Sequence, residues 1–359
     1  MKATKYIFGW HHWCGLIVGL FLLMMSVTGS LLVFSDELEV IEERNHPVVQ
    51  EINGQPSFDA SFYAVQKMYP QWEIRLYHLP RAGEALVYDL RQKEKSKKLF
   101  VHPVTGQLLG VNQNANSSLQ RSLLLLHYTW FSGTTGKIMV FITGLLFLIT
   151  LTTGIIVYRK SVLRVLRFRV RLNRRTTRSF YSSLHRIIGV WSLAFNVLIV
   201  STGLWLSGQI ALTALKSKPV IEKSKPKLPI SSIDAVVTKI QTTFPDFQVK
   251  LVRVRPGGNA VQVTGRLVSD PFYYGNYYSG FTVNGQTLEI ESSSFMKELP
   301  TGEKLKKMSG PLHFGNYGGM PVKILYCLLG LTPAFLSISG FILWRKKKKR
   351  KTVRITNPS

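Results

Sequence analysis

HHWCGLIVGLFLLMMSVTG at residues 11–29 and HRIIGVWSLAFNVLIVSTG at 185–203 align without a gap, placing Gly15 on Gly189, Thr28 on Thr202 and Gly29 on Gly203. Self-similarity at a fixed offset means that one supersecondary unit is used more than once. Both segments pass from a histidine into an apolar run of the length that crosses a bilayer, roughly 20 residues.

The segments that follow repeat in the same order. Counting from His127 and His313, Lys137 falls on Lys323, Gly144 on Gly330, Gly154 on Gly340, and YRK at 158 on WRK at 344. The repeated unit is therefore helix, loop, helix. Parallel repeats of this kind are related by an axis along the membrane normal, and functional sites tend to lie at their interface.

Four stretches are long and apolar enough to span: Trp13 to Phe34, Ile138 to Tyr158, Ile187 to Ser207 and Ile324 to Trp344. The first follows Lys2 and Lys5 as a signal peptide would. Its run exceeds the usual signal core of about 7 to 15 residues and no clear small-x-small cleavage site follows, so it reads as a retained helix.

Charge sets the orientation. Arg159 to Arg178 holds nine Lys or Arg, the tail after Trp344 holds eight, and Lys2 and Lys5 precede the first span; these are 19 of the 46 basic residues. All 19 acidic residues lie in the two long loops. Basic segments beside spans remain cytoplasmic, so the net charge of +27 is largely a topology signal. Attraction of these segments to anionic lipid headgroups accounts for the basic surface without nucleic acid. Cys14 and Cys327 fall inside the first and fourth spans with no metal-ligand spacing and read as packing residues.

The loops share a pattern. Phe58 to Tyr69 and Ser231 to Phe244 read as amphipathic helices. Strand-like stretches follow around Glu73 to His78, Ala85 to Asp89 and Lys98 to His102, and around Val249 to Val254, Ala260 to Gly265 and Tyr278 to Val283. Each loop closes on a glycine turn before a last strand, VTGQLLG at 104 and VNGQTLEI at 283. The expected architecture is an integral membrane α-helical protein, with four transmembrane helices as two parallel helix-loop-helix repeats and two small α+β modules. The expected boundaries are helix 1 over 1–35, module 1 over 36–118, helix 2 over 119–159, a basic loop over 160–180, helix 3 over 181–209, module 2 over 210–308, helix 4 over 309–345 and a basic tail over 346–359. Neither module shows a nucleophile with a base, a phosphate loop or a dinucleotide fingerprint.

Four of the eight histidines hold equivalent positions: His11, His127, His185 and His313 each stand six or seven residues after a basic residue, one per helix. Ionisable groups at such depth are functional candidates because burying them in lipid is costly without a partner. The topology sorts them into His11 with His185 near the cytoplasmic face and His127 with His313 near the outer face. Two imidazoles per leaflet suit a six-coordinate b-type haem, with two haems per chain expected. In a core of about 30 Å the two sites should lie roughly 12 to 20 Å apart. A lone interfacial histidine is ordinarily a headgroup contact; repetition on four helices is what raises these above that reading. Zinc fits less well, since two histidines leave its tetrahedral shell incomplete. His12 competes with His11, but the repeat aligns His12 with Arg186. His46, His78 and His102 read as surface or fold residues of the loops. Gly15, Gly19, Gly29, Gly144, Gly154, Gly203 and Gly340 could admit a flat macrocycle or serve close helix packing.

With these residues in view, the chain resembles the PepSY-associated transmembrane family, which includes iron-regulated inner-membrane proteins and ferric-siderophore reductases of bacteria. The resemblance is carried by WHHWCGL at 10, LHRIIGV at 184, LLHYTW at 125, TGLLFLITLTTGIIVYRK at 143, PLHFGNYGG at 311, SGFILWRK at 339 and FVHPVTGQLLG at 100, which resembles the closing turn of a PepSY module. It implies haem held by His11, His127, His185 and His313, and reduction of a ferric siderophore or other ferric chelate on the periplasmic side of the inner membrane. Two positions depart from the family pattern: His12 and Tyr128 stand where it often has Arg.

The expected function is thus a di-haem transmembrane ferric reductase. With no nicotinamide or flavin fingerprint, the electron donor is separate, either membrane quinol or a soluble reductase on the basic face. Tyr273, Tyr274, Tyr277, Tyr278, Arg253 and Arg255 are candidates to bind an anionic chelate. Two rival readings are a non-redox PepSY binding or regulatory protein on a membrane anchor, and a permease, for which the nearly charge-free spans offer little polar path.

Overall fold

The computed structural model describes residues 2–43, 49, 54–77, 84–92, 95–112, 118–216 and 230–356; His46 and His78 lie outside them. The chain divides into two compact units, each assembled from both halves of the sequence. One comprises Met1–Ser35, Leu123–Lys218 and Leu312–Ser359, the other Asp36–Ser122 and Pro219–Pro311.

The first unit is helical. Its principal helices are α1 (Lys2–Leu32), α5 (Gly133–Leu166), α6 (Thr177–Trp191), α7 (Leu193–Lys216), α10 (Gly319–Gly330) and α11 (Thr332–Thr356). Four segments are long and apolar enough to cross a membrane: Thr4–Leu32, Gly133–Leu166, Leu193–Lys216 and Gly319–Lys346. Large apolar side chains on these helices face outward, with Leu20 71% and Leu328 63% exposed. Only lipid solvates such a surface without penalty.

Three of the four expected helices are not single rods. Segment 119–159 breaks into α4 (Leu119–Thr129) and α5, and the chain reverses between them with positive φ at Trp130, Phe131 and Gly133. Segment 181–209 is interrupted at Ser192, between α6 and α7. Segment 309–345 divides into the end of α9 (Thr301–Phe314), then α10 and α11. There Gly315 and Gly319 supply the positive φ of a turn, and Pro333 lacks the N–H that would continue the helix. Ser26 of α1 repairs this second break: its hydroxyl donates to the Gly330 carbonyl and accepts from the Ala334 N–H at 3.1 Å. In the fourth segment Pro311, Gly315 and Gly318 already make continuous helix doubtful from the sequence.

The second unit contains helices α2 (Ser35–Glu43), α3 (Asp59–Met68) and α8 (Ile233–Thr243), and one antiparallel sheet. The first four strands are β1 (Glu73–Leu76), β2 (Leu86–Gln92), β3 (Lys95–Val101) and β4 (Leu108–Asn112). The second four are β5 (Phe247–Val254), β6 (Ala260–Leu267), β7 (Ser279–Asn284) and β8 (Ile290–Ser294). Their order is β4-β3-β2-β1-β5-β6-β7-β8. The strands expected in two modules are joined edge to edge. β1 pairs with β5 through Ile74–Val254, Arg75–Arg253 and Leu76–Val252, so the two sets of strands share one sheet. A four-stranded half alone would leave an inner edge open and would bury a small core; the pairing removes both problems.

One core runs through the whole unit. Phe62, Val65, Ile74, Leu76 and Tyr88 from the first half pack with Ile233, Val236, Ile240, Val263 and Val283 from the second. Each fully buried aliphatic or aromatic side chain contributes roughly 1.5–3 kcal/mol. The two helices also cap each other. The Asp59 carboxylate accepts from the Ile233 N–H at 2.7 Å, and the Asp234 carboxylate accepts from the Phe58 N–H at 3.0 Å. A carboxylate at a helix N-terminus satisfies unpaired donors and opposes the helix dipole, worth about 1 kcal/mol.

At the β1–β5 seam, Glu73 takes Arg75 Nε at 2.5 Å on one oxygen and Arg253 Nη2 at 2.6 Å on the other. Burial pushes the Glu73 carboxyl up, but the hydrogen bonds and charges of Arg253 and Arg75 together outweigh it and hold it below the ordinary range. Its contribution to stability is therefore complete above the unfolded value of about 4.3 and is lost as pH falls through the lower folded value. Glu73→Gln is expected to remove this pH dependence. In denaturant titrations of the full chain, wild type should lose more of its advantage over the variant between pH 5 and pH 3 than between pH 8 and pH 5; a constant difference would rule the account out.

Candidate functional site

The four repeated histidines meet in two pairs within the helical unit. His11 of α1 faces His185 of α6 with ring centroids 6.4 Å apart and planes at 83°. His127 of α4 faces His313 of α9, also at 6.4 Å, with planes at 51°. Two imidazoles sharing one metal at about 2 Å per nitrogen, with about 1 Å more from each nitrogen to its ring centre, have centroids about 6 Å apart. Each centroid distance is compatible with one ion held between two imidazole nitrogens.

In every ring Nδ1 is already engaged. His11 Nδ1 lies 2.9 Å from the Thr150 carbonyl, His185 Nδ1 2.8 Å from Ser339 Oγ, His127 Nδ1 3.0 Å from Thr28 Oγ1 and His313 Nδ1 3.1 Å from Thr202 Oγ1. A carbonyl only accepts, so His11 Nδ1 must donate. The hydroxyls donate to carbonyls of their own helices: Thr28 to Met24 at 2.8 Å, Thr202 to Leu198 at 2.8 Å, and Ser339 to Leu336 at 3.1 Å. That leaves an oxygen lone pair for each Nδ1–H. With the proton on Nδ1, Nε2 carries the free lone pair that a metal requires.

A glycine follows each of these hydroxyl residues and lies against a ring. A Cβ built on Gly29 would be 2.9 Å from His127 Cε1, on Gly203 3.0 Å from His313 Cε1, on Gly154 3.1 Å from His11 Cε1 and on Gly340 3.8 Å from His185 Cε1. The pairs Thr28-Gly29, Thr202-Gly203 and Ser339-Gly340 thus set a hydroxyl on the nitrogen and a missing side chain under the ring, whereas at Thr153-Gly154 only the glycine plays this part and the Thr150 carbonyl takes the nitrogen. The sequence showed Thr28-Gly29 and Thr202-Gly203, and the glycines Gly154 and Gly340, as matched positions of the repeat without showing their role. Gly144 serves helix packing instead, its Cβ position lying 2.9 Å from Leu204.

A cavity of about 730 Å³ opens beside the first pair, with mostly apolar walls. His11 and His185 line it, as do Gly15, Gly19 and Gly189. Its volume falls in the range of cofactor pockets, roughly 300–1,000 Å³. His12 and Arg186, equivalent in the repeat, both line this cavity; His12 stacks on Phe8 at 6.3 Å while His11 faces His185. Near the second pair, Trp130 stacks on Phe21 at 4.5 Å. Trp130 Nε1 and Asn316 Oδ1, each three residues after a paired histidine, are buried without a partner in the protein. Among the described residues, no group of three or more His, Cys, Asp or Glu gathers as a metal site.

The pairs lie at different levels of the helices. The His11 position and the Thr28 that meets His127 are 17 residues apart on α1, roughly 25 Å of helix. His127 and His313 stand on α4 and α9, which precede the spanning segments, and they meet α1 and α7 at Thr28 and Thr202.

The remaining candidates separate. His102 Nδ1 accepts from the Val104 and Thr105 N–H groups, both at 3.2 Å, so it closes a turn. Arg253 belongs to the β1–β5 seam. Tyr278 packs on Gly310, and burial, then the neighbouring Tyr277, pushes its hydroxyl up to about 12. Tyr274 is buried, whereas Tyr273, Tyr277 and Arg255 are exposed. Cys14 and Cys327 are free thiols.

The model of the PepSY-associated TM region matches residues 8–347, which takes in both imidazole pairs and both sets of strands. The chain belongs to the PepSY-associated transmembrane family. Within it, this PepSY-associated chain carries His12 where the repeat has Arg186, and both residues line the cavity beside the first pair. No curated protein matches the chain.

Proposed function

We propose that the chain binds two b-type haems, one between His11 and His185 and one between His127 and His313, and passes electrons across the bacterial inner membrane to a ferric siderophore or other ferric chelate in the periplasm. In this reading the two parallel helix-loop-helix repeats place the termini and the basic loop in the cytoplasm, and the strand-bearing loops outside. The observation that carries it is the pair of 6.4 Å imidazole gaps, each with both Nδ1 atoms engaged and both Nε2 lone pairs free.

The residues present fit the group. His11, His185, His127 and His313 would hold the group with two ring nitrogens per site, and Gly29, Gly154, Gly203 and Gly340 leave their rings room to seat. The apolar walls beside the first pair exclude water and suit a flat macrocycle. When bound, a haem with both axial positions filled supplies one-electron transfer and leaves no position for oxygen chemistry. Thr28, Thr202, Ser339 and the Thr150 carbonyl hold the four rings in the tautomer that ligates. Membrane quinol, or a soluble reductase docking at the basic face, is the donor, and each ferric ion takes one electron at the outer end.

The test is a reduced-minus-oxidised optical spectrum with haem quantification on purified protein, followed by the rate at which dithionite-reduced protein is reoxidised by a ferric chelate. About two haems per chain and reoxidation matched by ferrous product are expected. Folded protein made with haem available and yet colourless would discard this reading in favour of a non-redox PepSY binding protein anchored by its helices.

A further inference from the structure

Resting on the haem reading above, we propose that the hydroxyls of Thr28, Thr202 and Ser339 are positioning residues that set the reduction potential of each haem site, and that Thr153, their counterpart in the fourth hydroxyl-glycine pair, is not.

The four pairs are alike in sequence and unlike in bonding. Three of the hydroxyls are the Nδ1 acceptor themselves, at 2.8 to 3.1 Å. The Thr153 hydroxyl instead stands 3.5 Å from His11 Nδ1. It donates to the Ile149 carbonyl at 2.7 Å and the Thr150 carbonyl at 3.1 Å. His11 gives its Nδ1–H to that Thr150 carbonyl at 2.9 Å. The acceptor on Nδ1 sets how strongly the imidazole donates electron density through Nε2. Outer-shell partners of metal-bound histidines typically change metal affinity 10- to 100-fold. A stronger donor favours the ferric state, so loss of the acceptor raises the potential. The His127–His313 site has two hydroxyl acceptors, Thr28 and Thr202. The His11–His185 site has one, Ser339, and one backbone carbonyl that no side-chain replacement removes.

Spectropotentiometric titration of the full-length protein in detergent tests this, with each haem's signal assigned by its loss in His11→Ala or His313→Ala. Thr28→Val and Thr202→Val keep the side chain's shape. Each is expected to raise the potential of the His127–His313 site alone, by about tenfold in the ferrous-to-ferric ratio at fixed ambient potential, or about 59 mV for one electron. Ser339→Ala should raise the other site alone, and Thr153→Val should move neither. Thr28→Ser and Thr202→Ser, which keep the hydroxyl, should titrate as wild type. If Thr28→Val loses its haem and Thr28→Ser restores it, the hydroxyl holds the ring as proposed. Unchanged potentials in the three hydroxyl variants, or an equal shift in Thr153→Val, would overturn the proposal while leaving the haem reading intact. Wild-type protein without haem would overturn the reading itself.

Discussion

His127→Ala and His313→Ala are each expected to remove the same haem, taking purified protein from about two haems per chain to about one, and the double variant should lose no more than either single one. The facing rings, 6.4 Å apart, carry this expectation: in the proposed reading they hold one haem between them, so the second substitution finds nothing left to break. Residues that act as a unit are non-additive in this way, whereas independent sites add. His11→Ala combined with His313→Ala should therefore lose both haems. The readout is haem content by quantitative absorbance together with the low-spin ferric signal, since a haem retained on one imidazole would turn high-spin. Far-UV circular dichroism guards against unfolding. Additive loss within a pair would contradict the pairing, and retention of both low-spin signals in all single variants would contradict ligation.

The second large effect lies away from any imidazole. A Cβ built on Gly136 would sit 1.6 Å from the Thr129 carbonyl oxygen and 2.4 Å from its carbon. These are backbone atoms, and the same oxygen also accepts the Ser132 N–H at 2.7 Å. The reversal between α4 and α5 is already held in left-handed conformations at Trp130 and Phe131, which cost non-glycine residues of order 1 kcal/mol each. Gly136→Ala must therefore push the two helices apart, at a cost of about 3 kcal/mol or more. His127 stands two residues before Thr129, so the expected outcome is a lower thermal midpoint and selective loss of the His127–His313 haem. Gly9→Ala is the control, because nothing lies within 4 Å of its Cβ position. Wild-type stability and haem content in Gly136→Ala would show that the reversal does not hold the histidine in place.

The paired histidines were legible because repetition and topology both act on position along the chain, and the helix-loop-helix order preserves position. Strand locations were legible from alternation, as in β6, where Val261 and Val263 point inward. The seam between β1 and β5 was not, since strand pairing at a distance of about 180 residues leaves no local signal. Asp59 and Asp234 were missed for the same reason: capping rules look within one helix, and each of these acids caps the other. The reversal at Trp130 to Gly133 lacked a proline, so nothing separated α4 from the span behind it. The roles of Thr28, Thr202 and Ser339 were nearly visible: each precedes a glycine matched across the repeat, and only the side of the helix it faces was lacking.

Each imidazole pair takes one ring from the chain before the basic loop and one from the chain after it, and the sheet closes across the same division. The two halves are joined in one polypeptide, so they cannot separate and meet at a fixed high effective concentration. A dimer of identical chains must change both copies of a residue at once. In one chain the matched positions can differ, as His12 does from Arg186 and Trp130 from Asn316. Severing the chain within residues 167–176 would leave two fragments, each with one imidazole of each pair, and the pairs would form only where the fragments find each other.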